Sequence, residues 1–186
     1  MPITRNSIFA VTMAALLAAC SAPSASGRAV SCPEAPVSPV ATPPYDDDPE
    51  LAARLPTEIA GQELAIQSVC ATSANPGGLN LSPEFLEAAG VELDDVTIAV
   101  SQPPSIGQDQ PFVTISAFRY RGADEASIRA AFVETFTSAG LEVREETIAG
   151  KEVVWVLVVA WYVADDTLYA ITGEAPQVEE ILQALP

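Results

Sequence analysis

The sequence predicts an α+β domain: a mostly antiparallel sheet with about three helices packed on one face. Across residues 55–186 the apolar period switches back and forth between two and about 3.6, so strands and helices share one domain. Short strand-like runs face one another across turn residues, as at Ala164-Asp165-Asp166-Thr167, where Asp at both central positions favours a hairpin. A strand running through a glycine into an amphipathic helix occurs twice, at Gly122 and at Gly173, and suggests two similar ββα layers.

Residues 57–69 read as strand, with Gly61 marking a turn or bulge. Asn75, Pro76, Gly77 and Gly78 form a loop. Ser82-Pro83-Glu84 supplies an N-cap, a first-turn proline and an early acid, opening a short helix that carries Phe85, Leu86 and Ala89 and closes at Gly90. Residues 96–100 and 112–120 are rich in β-branched and aromatic side chains and are expected to pair. Asp124 caps the longest helix, whose Ile128, Ala131, Phe132, Phe136 and Ala139 fall on one face before Gly140 ends it. After a strand over residues 141–147 and a turn at Ala149-Gly150, residues 153–164 run for twelve positions without a charge. They include Trp155, Trp161 and Tyr162, and read as a strand buried on both faces. Residues 167–172 return as strand. Pro176 then opens a last helix that buries Val178, Ile181, Leu182 and Leu185.

Composition narrows function mainly by exclusion. The 186-residue chain is 49% hydrophobic with a mean hydropathy of +0.26, enough for one packed core of ordinary size. Its 8 basic and 25 acidic residues give a net charge of −17, and Lys151 is its single lysine. Nucleic-acid binding depends on Lys and Arg neutralising phosphates, so no nucleic-acid partner is expected. The chain has no histidine. That removes Ser-His-Asp and Cys-His catalysis, His metal ligands and the usual proton carrier near neutral pH.

The N-terminus carries an address. Arg5 is a positive n-region, and residues 8–19 are a twelve-residue apolar stretch, too short to span a bilayer as a helix. Leu17-Ala18-Ala19-Cys20 resembles the lipobox of bacterial lipoproteins, and the resemblance covers about the first twenty residues. It implies cleavage before Cys20, lipid on the Cys20 sulfur, and a mature protein held outside the cytoplasm on the cytoplasmic or an outer membrane. Two or three acyl chains anchor stably where one exchanges. The globular domain resembles no characterised family. The expected organisation is a signal at 1–19, a lipidated cysteine and Pro/Ser/Asp-rich tether at 20–54, and a single acidic domain at 55–186.

With Cys20 lipidated, Cys32 and Cys70 are the two remaining sulfurs, and an exported protein most economically joins them. The alternative is two separate thiols, one of them buried in a strand. A disulfide would leave residues 21–31 as the free leash, with a reach of roughly 35 Å as polyproline-like chain.

Candidate chemistry is sparse. Asp46, Asp47 and Asp48, the pair Asp94 and Asp95, and the pair Asp165 and Asp166 offer hard oxygen ligands, yet none has calcium-loop spacing. A linker, a helix-to-strand turn and a hairpin turn explain them. No nucleophile elbow, zinc signature, phosphate loop or C-x-x-C is present, so no cofactor, no metal and no catalytic residue is expected and the protein does not read as an enzyme. Arg119 and Arg121 share one strand face and suit either an anion or nearby acids. Trp155, Trp161 and Tyr162 are the candidate face for an apolar ligand or a protein partner. The expectation is thus a membrane-anchored interaction module; a purely structural envelope lipoprotein is the alternative, and a hydrolase with a carboxylate pair a distant third.

Overall fold

A computed structural model describes Cys32 and residues 46–73, 78–104 and 113–186. The signal, Cys20, most of the tether and the loop at Asn75 to Gly77 lie outside the described residues. In chain order the elements are α1 (Pro49–Ala52), β1 (Glu58–Ile59), β2 (Gln62–Glu63), β3 (Ala65–Cys70), α2 (Pro83–Ala89), β4 (Val96–Gln102) and β5 (Thr114–Tyr120). They are followed by α3 (Glu125–Ser138), β6 (Val143–Ile148), β7 (Lys151–Val156), β8 (Val159–Ala164), β9 (Thr167–Thr172) and α4 (Ala175–Ala184). The fold is α+β, as the sequence predicts.

Seven strands form one sheet in the order β3-β4-β5-β9-β8-β7-β6, and every neighbouring pair is antiparallel. Strands β6 to β9 are a meander joined by three two-residue turns, Ala149-Gly150, Leu157-Val158 and Asp165-Asp166. A fourth such turn, Ala60-Gly61, joins the small β1-β2 hairpin. The first residue of each turn lies at a φ between 51° and 54°. Gly61 and Gly150 follow at positive φ, the combination that matches the twist of the flanking strands.

Helices cover both faces of the sheet, which corrects the expectation of a single helical face. On one face α2 and α3 bury Phe85, Leu86, Ile128, Phe132 and Phe136 against Val96, Ile98, Tyr120, Val154 and Leu168. On the other, Leu51 of α1 and Val178, Ile181 and Leu182 of α4 meet Ala99, Ile115, Ala117, Tyr169 and Ile171. The reason lies in the central strands. Ile115 and Ala117 alternate with Phe118 and Tyr120 along β5, so each face of the strand is apolar and needs a cover. The two helices that follow a glycine therefore leave adjacent strands toward opposite faces, and the echoed pattern does not build two equivalent layers.

Two further expectations change. The uncharged run at 153–164 is two strands and a turn, not one strand. Packed chain also includes residues before 55: Asp48 and Leu51 are fully buried, and the exposed Asp46 and Asp47 are bonded to Ser68 and Cys70, so this acidic stretch is no solvated linker. The Asp48 side chain accepts the Leu51 N–H at 3.0 Å and caps α1, with Pro49 in its first turn. The helix ends elsewhere follow the reading: Ser82 caps α2 through the Phe85 N–H, Asp124 caps α3 through the Ser127 N–H, and Gly90 ends α2 in the left-handed region.

Candidate functional site

Rows of paired residues give the sheet two distinguishable ends. At one end Cys70 pairs with Thr97, Thr97 with Arg119, Arg119 with Thr167, and Thr167 with Ala164. Cys32 reaches this row: its Cα is 5.5 Å from that of Cys70, at disulfide-bonding distance, and both cysteines are buried.

Arg119 and Arg121 also stand at this end, and their partners are acids of the chain itself. Arg121 reaches Asp48 at 2.5 Å, and Thr97 donates its hydroxyl to the same carboxylate at 2.6 Å. Arg119 binds Asp166 at 2.8 Å and lies 3.6 Å from Asp48, while Arg54 binds Asp166 at 3.2 Å. Burial raises the Asp166 pKa, but the Arg119 hydrogen bond and charge outweigh it and hold the carboxyl below its ordinary value. Burial lowers that of Arg119, and Asp166 and Asp48 more than reverse it. With Glu50, 3.4 Å from Arg119, three carboxylates balance the three guanidiniums, and the cluster pins the segment after the tether to β4, β5 and the β8-β9 turn.

The three aromatic candidates do not share a surface. Register places Trp155 opposite Ala160 on the α4 face, Tyr162 also on that face, and Trp161 opposite Val154 on the α3 face. Trp161 is half-buried among Phe132 and Phe136, with ring centroids 4.9 and 5.6 Å away. Trp155 is half-buried under the Arg144 guanidinium, 5.6 Å from its ring centroid. Tyr162 stacks on Tyr169 at 5.9 Å, lies 4.7 Å from the Lys151 ammonium, and donates its hydroxyl to the Pro186 oxygen at 2.9 Å. An open groove of 370 Å³ lies elsewhere, between α1 and β3, lined by Ala52, Ala53, Leu55, Thr57, Ile66 and Gln67 among others. Among the described residues no group of three or more Cys, Asp or Glu is placed to hold a metal, and no helix is long and apolar enough to cross a membrane.

The opposite end of the sheet carries the feature that sequence reasoning missed. Leu157 and Val158, the β7-β8 turn, are 78% and 74% exposed, although nearly all large apolar side chains described are buried or half-buried. Leu157 sits at φ +54°, and Val158 returns to negative φ, the sign pattern of a type II′ turn whose first position ordinarily takes glycine. A left-handed residue with a Cβ costs roughly 1–2 kcal/mol. Neither exposed side chain recovers this within the domain. Leu-Val is among the poorest of turn dipeptides, so composition gave no warning. One usable signal existed: twelve uncharged residues exceed the usual strand length of about 3–10, so the run had to fold back somewhere. From Ala164 to Val158 the chain travels six residues along β8, about 20 Å, so the apolar tip projects from the end remote from the cysteine pair.

No protein family, no curated protein and no solved structure matches the chain.

Proposed function

We propose that the protein is a membrane-anchored, extracytoplasmic lipoprotein that acts as an interaction module, presenting the Leu157-Val158 tip to a partner away from its own membrane. The tip is the observation that carries this reading. Strained backbone with no compensating contact persists where the strained group has a use outside the domain, and exposed apolar side chains at a projecting turn suit burial in a partner's pocket. The lipobox-like Leu17-Ala18-Ala19-Cys20 supplies the anchor, and the Cys32–Cys70 pair suits an oxidising compartment. With the tether stapled at one end of the sheet, the tip faces outward on a leash of residues 21–31. The half-buried Trp155 and Tyr162 contribute flanking area on the α4 face, and Trp161 serves the α3 core.

A photo-reactive residue in place of Leu157, in intact cells, is expected to give a cross-linked adduct of one defined mass. The same residue in place of exposed Asp94, at the cysteine end, gives none. Equal labelling at both positions, or none at either, contradicts the interaction reading. Cys20→Ser is expected to move the protein from the membrane to the soluble exported fraction; retention in the membrane contradicts the lipid anchor.

A further inference from the structure

The two edges of the sheet differ. At the β3 edge Asp46 forms a bridge with Ser68, Asp47 N–H donates to the Ser68 carbonyl at 3.1 Å, and the Cys70 N–H donates to the Asp47 carboxylate at 2.9 Å. Chain thus covers the Ser68 to Cys70 stretch. At the other edge, β6 has a neighbour on one side only, β7. A two-residue turn makes its flanking pair, Ile148 and Lys151, a hydrogen-bonded pair, and the pattern alternates from there. Glu146 and Arg144 therefore exchange bonds with β7, while Val143, Glu145 and Thr147 direct N–H and C=O groups outward. No described residue meets them.

We infer that this edge binds an extended, basic segment of a partner protein as an eighth strand. The inference rests on the interaction reading above and names the partner's chemistry. An unpaired edge is a template for strand addition, with main-chain bonds supplying affinity and side chains supplying choice. The choice here is made by charge. Glu142, Glu145 and Glu146 line the strand and its approach, with Glu145 64% and Glu146 44% exposed, and Arg144 is the one base on β6. Arg129 and Arg144 offset part of this charge through Glu145 and Glu146. A second copy is disfavoured by charge. Antiparallel self-pairing through the outward residues sets Glu145 against Glu145; Arg144 falls opposite Glu146 and offsets this, but the pairing still brings together two chains of net charge −17. A lysine- or arginine-bearing strand meets neither obstacle. Val143 pairs with Val156, next to Leu157, so a strand laid along β6 ends beside the apolar tip. An apolar residue at that end of the partner segment would complete the contact.

The test is amide hydrogen exchange on the full-length chain in a non-ionic detergent, with a synthetic peptide of about ten residues alternating lysine and valine as probe. The peptide is expected to slow exchange at Val143, Glu145 and Thr147 by about tenfold or more, with an affinity that falls as salt is raised. Thr147→Pro removes one outward N–H without touching the β7 ladder, and is expected to weaken binding about tenfold. A peptide methylated at alternate backbone nitrogens is expected to lose binding to the unaltered protein, which keeps the test independent of whether the proline variant folds. Equal binding of the methylated peptide overturns the inference, since charge alone then explains it. Protection of β6 that rises with protein concentration and no peptide also overturns it, in favour of a second copy. Changes confined to Leu157 and Val158 overturn the edge inference and leave the interaction reading intact, whereas failure of that reading shows in the cross-linking at position 157.

Discussion

Leu157 is where local preference and observed conformation disagree most. Glycine at this position would relieve about 1–2 kcal/mol of left-handed strain and add about 0.5–1 kcal/mol of unfolded-state entropy. With the side chain 78% exposed, little burial is lost. Leu157→Gly is therefore expected to raise stability by about 0.5–1 kcal/mol in urea unfolding, while weakening cross-linking from a photo-reactive residue placed at Val158. A clear loss of stability would show that the leucine packs within the domain. Asp166 responds to acid. Its folded-state pKa lies below the ordinary value, so its contribution is complete above about pH 4 and is lost as pH falls through the lower folded value. The urea midpoint should fall below about pH 4, with Asp166→Asn giving a flatter profile over that window.

Helices with explicit start and stop residues were legible in the sequence. Ser82-Pro83-Glu84 and Asp124 gave α2 and α3 their first residues to within one position. The same signature, Asp48-Pro49-Glu50, opens α1, but it stands in a stretch whose proline and aspartate content reads as tether. Burial of Asp48 among Thr97, Arg119 and Arg121 is a tertiary arrangement that no local pattern reports. The turn at Leu157 was illegible for the opposite reason: its residues favour strand. Of the site, the sequence marked the aromatic strands but not their division between two faces, which depends on a turn it did not show. The cysteine pair joins 38 positions of chain. Replacing both cysteines by serine is expected to cost about 4 kcal/mol on the chain-entropy account, and to release the Asp46 to Asp48 stretch first. Calorimetry checks the loss, and amide exchange at Leu51 against Leu168 checks the order.

For the whole molecule, charge is the dominant long-range term. With 25 acids and 8 bases, repulsion summed over the surface outweighs the ion pairs at the cysteine end. Raising sodium chloride from about 0.01 M to about 0.5 M is expected to raise the melting temperature, because screening weakens the diffuse repulsion more than the half-buried pairs. A fall instead would assign more of the stability to Arg54, Arg119 and Arg121. The same excess gives the β6 edge its preference for basic chain, so the proposed affinity should follow ionic strength in the reverse direction.

Strands β6 to β9 are neighbours in sequence and in space, whereas the β5-β9 seam joins residues about fifty positions apart. Hairpins close within microseconds, while a seam between distant segments must first overcome loop-closure entropy. The meander is thus the natural nucleus, and the half bearing α1 and the cysteines docks onto it late. In a chevron, Ala160→Gly should slow refolding, whereas Leu51→Ala should chiefly hasten unfolding. A chain folding in this order exposes the bare flank of β9 until β5 docks, so the step most open to mispairing falls at the centre of the finished sheet, not at its rim.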